Sequence, residues 1–422
     1  MTIRAVKGTR DILPSASNHW NVVEAIVRGV FKTYNCHEIR TPIFEETQLF
    51  ARSVGAETDI VSKEMYSFDD RDGTSLTLRP ENTAPVMRAY TEHRLDQRPG
   101  VQRLYYIGPM FRRERPQKGR YRQFHQIGAE VIGSERPEVD AEVIVMVADL
   151  LRRVGVAAFE IVLNSVGCSK CRPVFLAKLR EALQDVKASL CADCQRRAEV
   201  NPLRVLDCKV PQDQPIIDSL PSILDSLCNE CAEHFDTVKL FVGDRGLEFA
   251  VNPRLVRGLD YYTKTTFEFT HSALGAQNSI LGGGRYDGLA AQLGSHVPAP
   301  GIGFSIGQDR LMMTLGLDGD VGNAGVIDVF VAPIGPEAVR FCAGIAHELR
   351  LSGVCVEVGN DSKLKRSLEL AHKLGARYTL IIGEQEMQSG QYLLKEMASG
   401  GQQSVSRQML LSHFSSKIEH GI

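Results

Sequence analysis

The sequence predicts an α+β protein of several domains, and three observations carry that expectation. Residues 1–165 and 243–318 hold strand-like apolar runs separated by Gly-rich turns. Residues 166–242 change character, becoming Cys-, Leu- and Ala-rich with helical spacing, which reads as a helical insertion in the body. After a Gly- and Asp-rich linker at Asp318–Gly325, strand and helix patterns alternate, as in a compact α/β domain over residues 326–422. A length of 422 residues suits about two to four domains.

The elements follow in order. Ser75–Leu78 reads as a strand that Pro80 stops, leaving Glu81 as a loop acid ahead of a helix. Leu104–Phe111 and Phe124–Ile132 are apolar runs on either side of Pro116-Gln117-Lys118-Gly119, so they predict a β-hairpin. Its tip carries six basic residues, Arg112, Arg113, Arg115, Lys118, Arg120 and Arg122, opposed by Glu114. A charge run alone is most often a solvated face. On the second strand, however, Gln126, Gly128 and Glu130 share one side. A Gly between two polar residues leaves an opening above the sheet that suits a ligand. In the insertion, Leu176, Leu179 and Leu183 line one face of a helix over Pro173–Leu190.

The segment Arg257–Phe269 sets a cation, a carboxylate and two phenols ahead of a strand. Strict alternation places Tyr261, Thr263, Thr265, Phe267 and Phe269 on one face and Tyr262, Lys264, Thr266 and Glu268 on the other. A polar face behind an Arg-Gly step reads as the floor of a pocket for a small charged molecule. The glycine-dense run Gly282–Gly288 permits close backbone approach, although alone it reads more simply as a turn. Gly301–Gly307 leads into a helix over Leu311–Leu315, with Arg310 at its start as a phosphate contact or a surface ion pair. The C-terminal alternation comprises strand Val326–Ala332, helix Glu337–Leu351, strand Val354–Val358, helix Lys363–Leu374 and strand Tyr378–Ile382. The second of these helices places Leu364, Leu368, Ala371 and Leu374 on one stripe.

A net charge of −2 excludes a global basic field, so any polyanion must meet a local cluster. The chain has no signal-peptide pattern and no apolar run of bilayer length. A cytoplasmic protein with reduced cysteines is expected.

These groups together match what amino-acid activation demands. A substrate ammonium needs a carboxylate, its carboxylate needs an Arg, and ATP phosphates need further cations as charge builds on them. The sequence has no G-x-x-x-x-G-K-[ST] loop, so arginines with bidentate geometry must hold the phosphates. An imidazole side chain needs polar partners for both ring nitrogens, and Glu130 and Tyr262 suit that task.

Nearly the whole chain resembles the bacterial-type histidyl-tRNA synthetases, members of class II. The resemblance begins at Lys7–Pro14. Glu38–Glu45 is similar to motif 1, Phe111–Gln126 to motif 2 and Gly301–Leu311 to motif 3. Arg257–Tyr262 and Gly283–Leu289 resemble the two histidine-specific signatures, and Asn201–Asp207 an insertion segment. The resemblance implies an antiparallel catalytic sheet flanked by helices, a helical insertion and a C-terminal α/β anticodon-binding domain. It implies that Glu81, Thr83, Gln126, Glu130 and Tyr262 hold L-histidine, with Tyr261 and Tyr286 lining the site. Arg112 would bridge the histidine carboxylate and the ATP α-phosphate, Arg257 would stabilise the α-phosphate, and Arg310 would hold the γ-phosphate. Arg115, Gln117 and Arg120 would meet the acceptor end of tRNA(His). ATP with Mg2+ and a homodimer are implied as well. The chain departs from the family at Asn82, Asn35-Cys36, Asp309 and Lys264. Asp309 stands where the family commonly has Glu before the motif 3 Arg, so its carboxylate reaches less far there.

The insertion holds Cys168-x-x-Cys171, Cys191-x-x-Cys194 and Cys228-x-x-Cys231, with Cys208 between the last two pairs. The first two pairs, 19 residues apart, have the spacing of a structural Zn2+ site. Seven thiols are one short of two four-ligand sites, and His234 is a candidate eighth ligand. A reduced, metal-free helical domain is the alternative, and the family resemblance implies no metal. Three other readings of the chain compete: a synthetase-like regulatory subunit without the chemistry, a class II synthetase for another amino acid, and plain nucleic-acid binding without activation. The retained arginines and C-terminal domain oppose the first, the two histidine signatures the second, and Glu81, Gln126 and Glu130 around one slot the third.

Overall fold

The computed structural model of the chain describes residues 2–418, apart from 56, 57, 59, 116–118, 276, 277, 319–326, 361 and 362. Two compact units form, a larger one of residues 1–12 and 20–319 and a smaller one of residues 13–19 and 320–422.

The larger unit is built on an eight-stranded sheet. Its order is His37–Glu38, Gln102–Phe111, Gln123–Ile132, Gly301–Gly307, Ser279–Arg285, Thr263–Thr270, Glu160–Ser165 and Ala250–Val251. The six central strands pair antiparallel, while each edge strand runs parallel to its neighbour. The expected antiparallel sheet is therefore mixed at its margins. The predicted hairpin forms, in continuous register from Gln102 opposite Ile132 to Phe111 opposite Gln123.

Side-chain alternation gives this sheet two different faces. Ile127, Ala129 and Val131 on one strand, and Ile302, Phe304 and Ile306 on the next, enter the main apolar core. Helix Pro14–Thr33 covers them with Trp20, Val23, Val27, Val30 and Phe31, spaced by three and four residues. Helix Pro137–Arg153 joins the same core. It starts on Pro137, carries Glu138 and Asp140 in its first turn and ends on Arg152 and Arg153, charges that match its dipole. Gln126, Gly128 and Glu130 are thereby left to the opposite face.

The insertion has its own core, with Phe175, Leu179, Leu183, Val205 and Ile217 buried. Its first helix runs Cys171–Val186 and buries Phe175 in place of the expected Leu176. Helix Asn229–Gly243 instead sends Phe235, Val238 and Val242 into the core of the sheet.

The smaller unit has strand order Val356–Val358, Val329–Pro333, Tyr378–Ile382, Gln391–Glu396 and Gln402–Ser406. The first three are parallel, as the alternating pattern predicts. Val329 and Val331 face one apolar core, Phe330 and Ala332 the other. The antiparallel hairpin of the last two strands was not foreseen. In helix Leu364–Lys373 and the residue after it, Leu368, Ala371 and Leu374 of the expected stripe pack on the second of these cores, while Leu364 is 39% exposed and Ser367 is buried in its stead. Among the described residues no helix is long and apolar enough to cross a membrane.

Candidate active site

Glu130 is the centre of the polar face. It sits opposite Gly303 in the strand pair, and a Cβ at Gly303 would lie 1.7 Å from Glu130 Oε2, so only glycine admits the carboxylate there. Tyr286 Oη donates to Glu130 Oε2 at 2.6 Å, and Thr83 Oγ1 donates to Oε1 at 2.7 Å. Burial pushes the Glu130 carboxyl up to about 8, with the two hydroxyl donors opposing and the nearby Glu81 charge adding to the rise.

Glu81 is not the exposed loop acid that the sequence suggested; it is 3% exposed. Its carboxylate accepts main-chain N–H groups of Thr83 at 2.7 Å and Ala84 at 3.1 Å, at the start of helix Thr83–Glu92. Unsatisfied N–H groups at a helix start supply the partners that let an acid enter the interior. Burial still raises its carboxyl, against those N–H groups and the Arg112 charge. Two buried acids thus share one pocket, an environment that a cationic group would relieve.

The raised Glu130 has a consequence for stability. Its folded-state value lies above the ordinary 4.5, so its contribution is fully present below about 4.5 and is lost as pH rises through about 8. We expect Glu130→Gln to gain stability relative to the parent chain over that interval, on the order of a few kcal/mol. Urea unfolding of both proteins between pH 5 and 9 measures this, and a constant difference would mean that Glu130 titrates normally.

Phenols wall the pocket. The Tyr261 and Tyr262 rings are 4.8 Å apart, and Tyr286 meets Tyr261 edge-on at 5.9 Å. Tyr261 therefore packs with Tyr262, whereas strict alternation had put it with Phe267 and Phe269, which lie in the other core. The alternation breaks at Lys264, whose φ is 49°, and the pairing with Ser279–Arg285 shifts register there. A left-handed backbone is one that glycine adopts freely and that lysine adopts at a conformational cost. The opening expected at Gly128 is filled by the Tyr106 ring, whose hydroxyl would be 2.4 Å from a Cβ at Gly128. Among the described residues, Gln126 Oε1 is buried without a hydrogen-bond partner. Tyr106 escaped the sequence reading; the signal available was a Tyr paired across the strands with a Gly.

Cations border the acids. Arg112 Nε donates to Pro80 O at 2.9 Å, beside Glu81, and its guanidinium lies 5.3 Å from the Phe124 ring centre. Arg257 Nη1 is 3.5 Å from Glu268 Oε2, and its guanidinium lies against Gly282, where a Cβ would come within 2.2 Å. Gly282–Arg285 is thus strand, not the turn that the glycine run suggested. Arg310, in helix Gln308–Thr314, is held below its usual range by burial and by the like charge of Arg120, with Glu268 and Glu114 opposing. Glu114 in turn approaches Arg120 at 3.2 Å and Arg112 at 3.8 Å. Glu268, on the strand face read as the pocket floor, and Glu114, given no binding role by the sequence, therefore stand among the arginines. Arg115 and Arg120 are exposed, and Gln117 lies outside the described residues. Asp309 binds Arg10 at 2.6 Å and the His125 N–H at 3.2 Å, so in this structure its carboxylate braces the N-terminal segment.

The cysteines group differently from the expected order. Cys168 and Cys171 join Cys228 and Cys231, not Cys191 and Cys194. The second group is Cys191, Cys194, Cys208 and Asp213. His234 is no member of either: its Nε2 is 2.8 Å from Asp140, which also pairs with the fully buried Arg285. A helix turned toward the sheet core carries His234 away from the thiols.

Comparison with known proteins gives the family of this fold. The family profile described as histidyl-tRNA synthetase matches residues 8–311, and that of an anticodon binding domain matches residues 328–417. The chain is 64% identical to a histidine–tRNA ligase of Solibacter usitatus over 96% of this chain and 97% of that protein. It is 56% identical to one of Koribacter versatilis, over 96% and 94%. The crystal structure of apo S. aureus histidyl-tRNA synthetase superposes with a TM-score of 0.82 at 36% identity, covering 98% of this chain and 100% of that one. On these matches and this fold, the chain belongs to the histidyl-tRNA synthetase family.

Proposed function

We propose that the buried carboxylate pocket binds L-histidine and that the bordering arginines hold ATP. The chain is a histidine–tRNA ligase: it activates L-histidine with ATP to histidyl-adenylate and transfers the histidyl group to tRNA(His). The observation that carries the residue assignment is the pair Glu81 and Glu130, buried side by side between phenols and arginines. Glu81 receives the substrate ammonium. Glu130, held by Thr83 and Tyr286, meets the imidazole together with Gln126 and Tyr262, while Tyr261 closes the wall. Gln126 Oε1 supports this, since it can accept an N–H that no group among the described residues supplies.

The histidine carboxylate is already ionised, so activation needs positioning and charge stabilisation more than a base. Arg112 bridges that carboxylate and the α-phosphate, Arg257 stabilises the α-phosphate as the carboxylate oxygen attacks phosphorus in line, and Arg310 holds the γ-phosphate of the departing pyrophosphate. Mg2+ enters with ATP as part of the substrate. The terminal ribose hydroxyl of tRNA then attacks the activated carbonyl, with Arg115, Gln117 and Arg120 at the acceptor end.

Residues 1–165 and 243–318 form the catalytic body in this reading, residues 166–242 the insertion, and residues 326–422 the domain that takes the anticodon. The chain works in the cytoplasm as a homodimer. Exposed Ile43 and Phe44, within the motif 1 segment, and Phe68, in the same three-stranded sheet as Phe44, support a partner copy there.

ATP–pyrophosphate exchange with each amino acid in turn tests the assignment, with light scattering on the same sample for the dimer. Exchange with histidine alone and a mass of two chains are expected. Exchange with a different amino acid would overturn the pocket assignment, and a monomeric mass would overturn the dimer.

A further inference from the structure

Histidine activation leaves the seven cysteines of the insertion without a task. In the structure they converge. Sγ of Cys168 lies 3.7 Å from that of Cys171 and 3.8 Å from that of Cys228, and Cys171 is 3.8 Å from Cys231. All four sulfurs lie within 4.8 Å of one another. These are not disulfides, whose sulfurs would be about 2.05 Å apart. A tetrahedron with metal–sulfur bonds of about 2.3 Å has sulfur–sulfur edges of about 3.8 Å, the spacing found.

The surroundings fit thiolates. The Cys168 N–H is 3.1 Å from Cys171 Sγ, and the Lys170 N–H is 3.4 Å from Cys168 Sγ. Such donors stabilise metal-bound sulfur. Four sulfurs this close cannot all be anions unless a cation sits among them. A dication resolves this, with the thiol protons released to solvent on binding.

A second cluster repeats the design with one oxygen. Cys191 and Cys208 sulfurs are 3.9 Å apart, and Asp213 Oδ2 is 3.3 Å from Cys208 Sγ. Metal–sulfur and metal–oxygen bonds of about 2.3 and 2.0 Å give an edge of about 3.5 Å. Asp213 is buried and also accepts the Cys191 N–H at 3.1 Å.

We propose that each chain carries two structural zinc ions in its insertion, one bound by Cys168, Cys171, Cys228 and Cys231, the other by Cys191, Cys194, Cys208 and Asp213. The first ion joins the chain where it leaves the sheet to the point where it returns, 60 residues later. It also stands behind the histidine pocket. Arg172, next to Cys171, donates to the carbonyls of Val166 and Tyr262, and Gly167 O accepts the Lys264 N–H at 2.9 Å. The site therefore braces the backbone that presents Tyr262.

The test is elemental analysis of the full chain, purified without chelator or a metal-affinity step. Two zinc ions per chain are expected, falling to one in Cys228→Ser and to one in Cys208→Ser. Should either variant fail to fold, thiol counting on the unaltered protein decides: the seven insertion cysteines should resist a thiol reagent until the zinc is chelated. No zinc, a single zinc, iron in place of zinc, or seven freely reacting thiols in the native chain would each overturn the assignment.

Discussion

Replacing Arg257 with Ala is expected to slow histidine-dependent pyrophosphate exchange about 100- to 1,000-fold, the usual cost of removing one preorganised donor from a developing charge. The effect should fall on kcat, because the α-phosphate gains negative charge on the way to the transition state. The fold should survive. Arg257 contacts Glu268 at 3.5 Å near the pocket rim, and Glu268 keeps partial access to solvent. A second variant probes the same group without deleting it. Gly282→Ala would place a Cβ 2.2 Å from the Arg257 guanidinium carbon, the mobile end of a long side chain, so the arginine must move aside. Gly282→Ala should therefore show a milder form of the same kcat loss. Exchange within about tenfold of the parent chain in Arg257→Ala would remove Arg257 from the chemistry.

Glu81→Gln is expected to raise the KM for histidine about 100-fold or more, with a smaller change in the KM for ATP. A buried charge pair that loses one partner typically costs a few kcal/mol. The substitution keeps an oxygen to accept one helix-start N–H, from Thr83 or Ala84, so a stability loss need not obscure the binding loss. A purely structural Glu81 would behave differently: unfolding would move and the histidine KM would stay. That outcome would leave Glu130 as the sole acid facing substrate.

Much of this site was legible in the chain. Period-two alternation on Gln123–Ile132 separates Ile127, Ala129 and Val131 from Gln126 and Glu130 without reference to any other segment, and the structure keeps that division. The hairpin, the helical insertion and the parallel βαβαβ pattern were readable for the same reason: each is encoded in local spacing. The closing hairpin at Gln391–Ser406 was not read, because its second strand, Gln402–Ser406, holds Val405 as its one apolar residue and so shows no alternation.

The errors have a common origin. Tyr261 changed faces because Lys264 takes a left-handed backbone and shifts the strand register. The opening at Gly128 closed because Tyr106, 22 positions earlier in the chain, stands across from it. Glu81 became buried because a helix start offered it N–H donors.

The sequence by itself determined the residue types, the two faces of the sheet strands and the family to which the chain belongs. Tertiary structure alone decided the partners. Glu130 needs Gly303 from a strand 173 residues away, and Cys168 meets Cys228 in preference to the nearer Cys191. Periodicity is a local property of a chain, whereas a buried charge or a metal-binding thiol is satisfied only by whatever the folded core brings beside it.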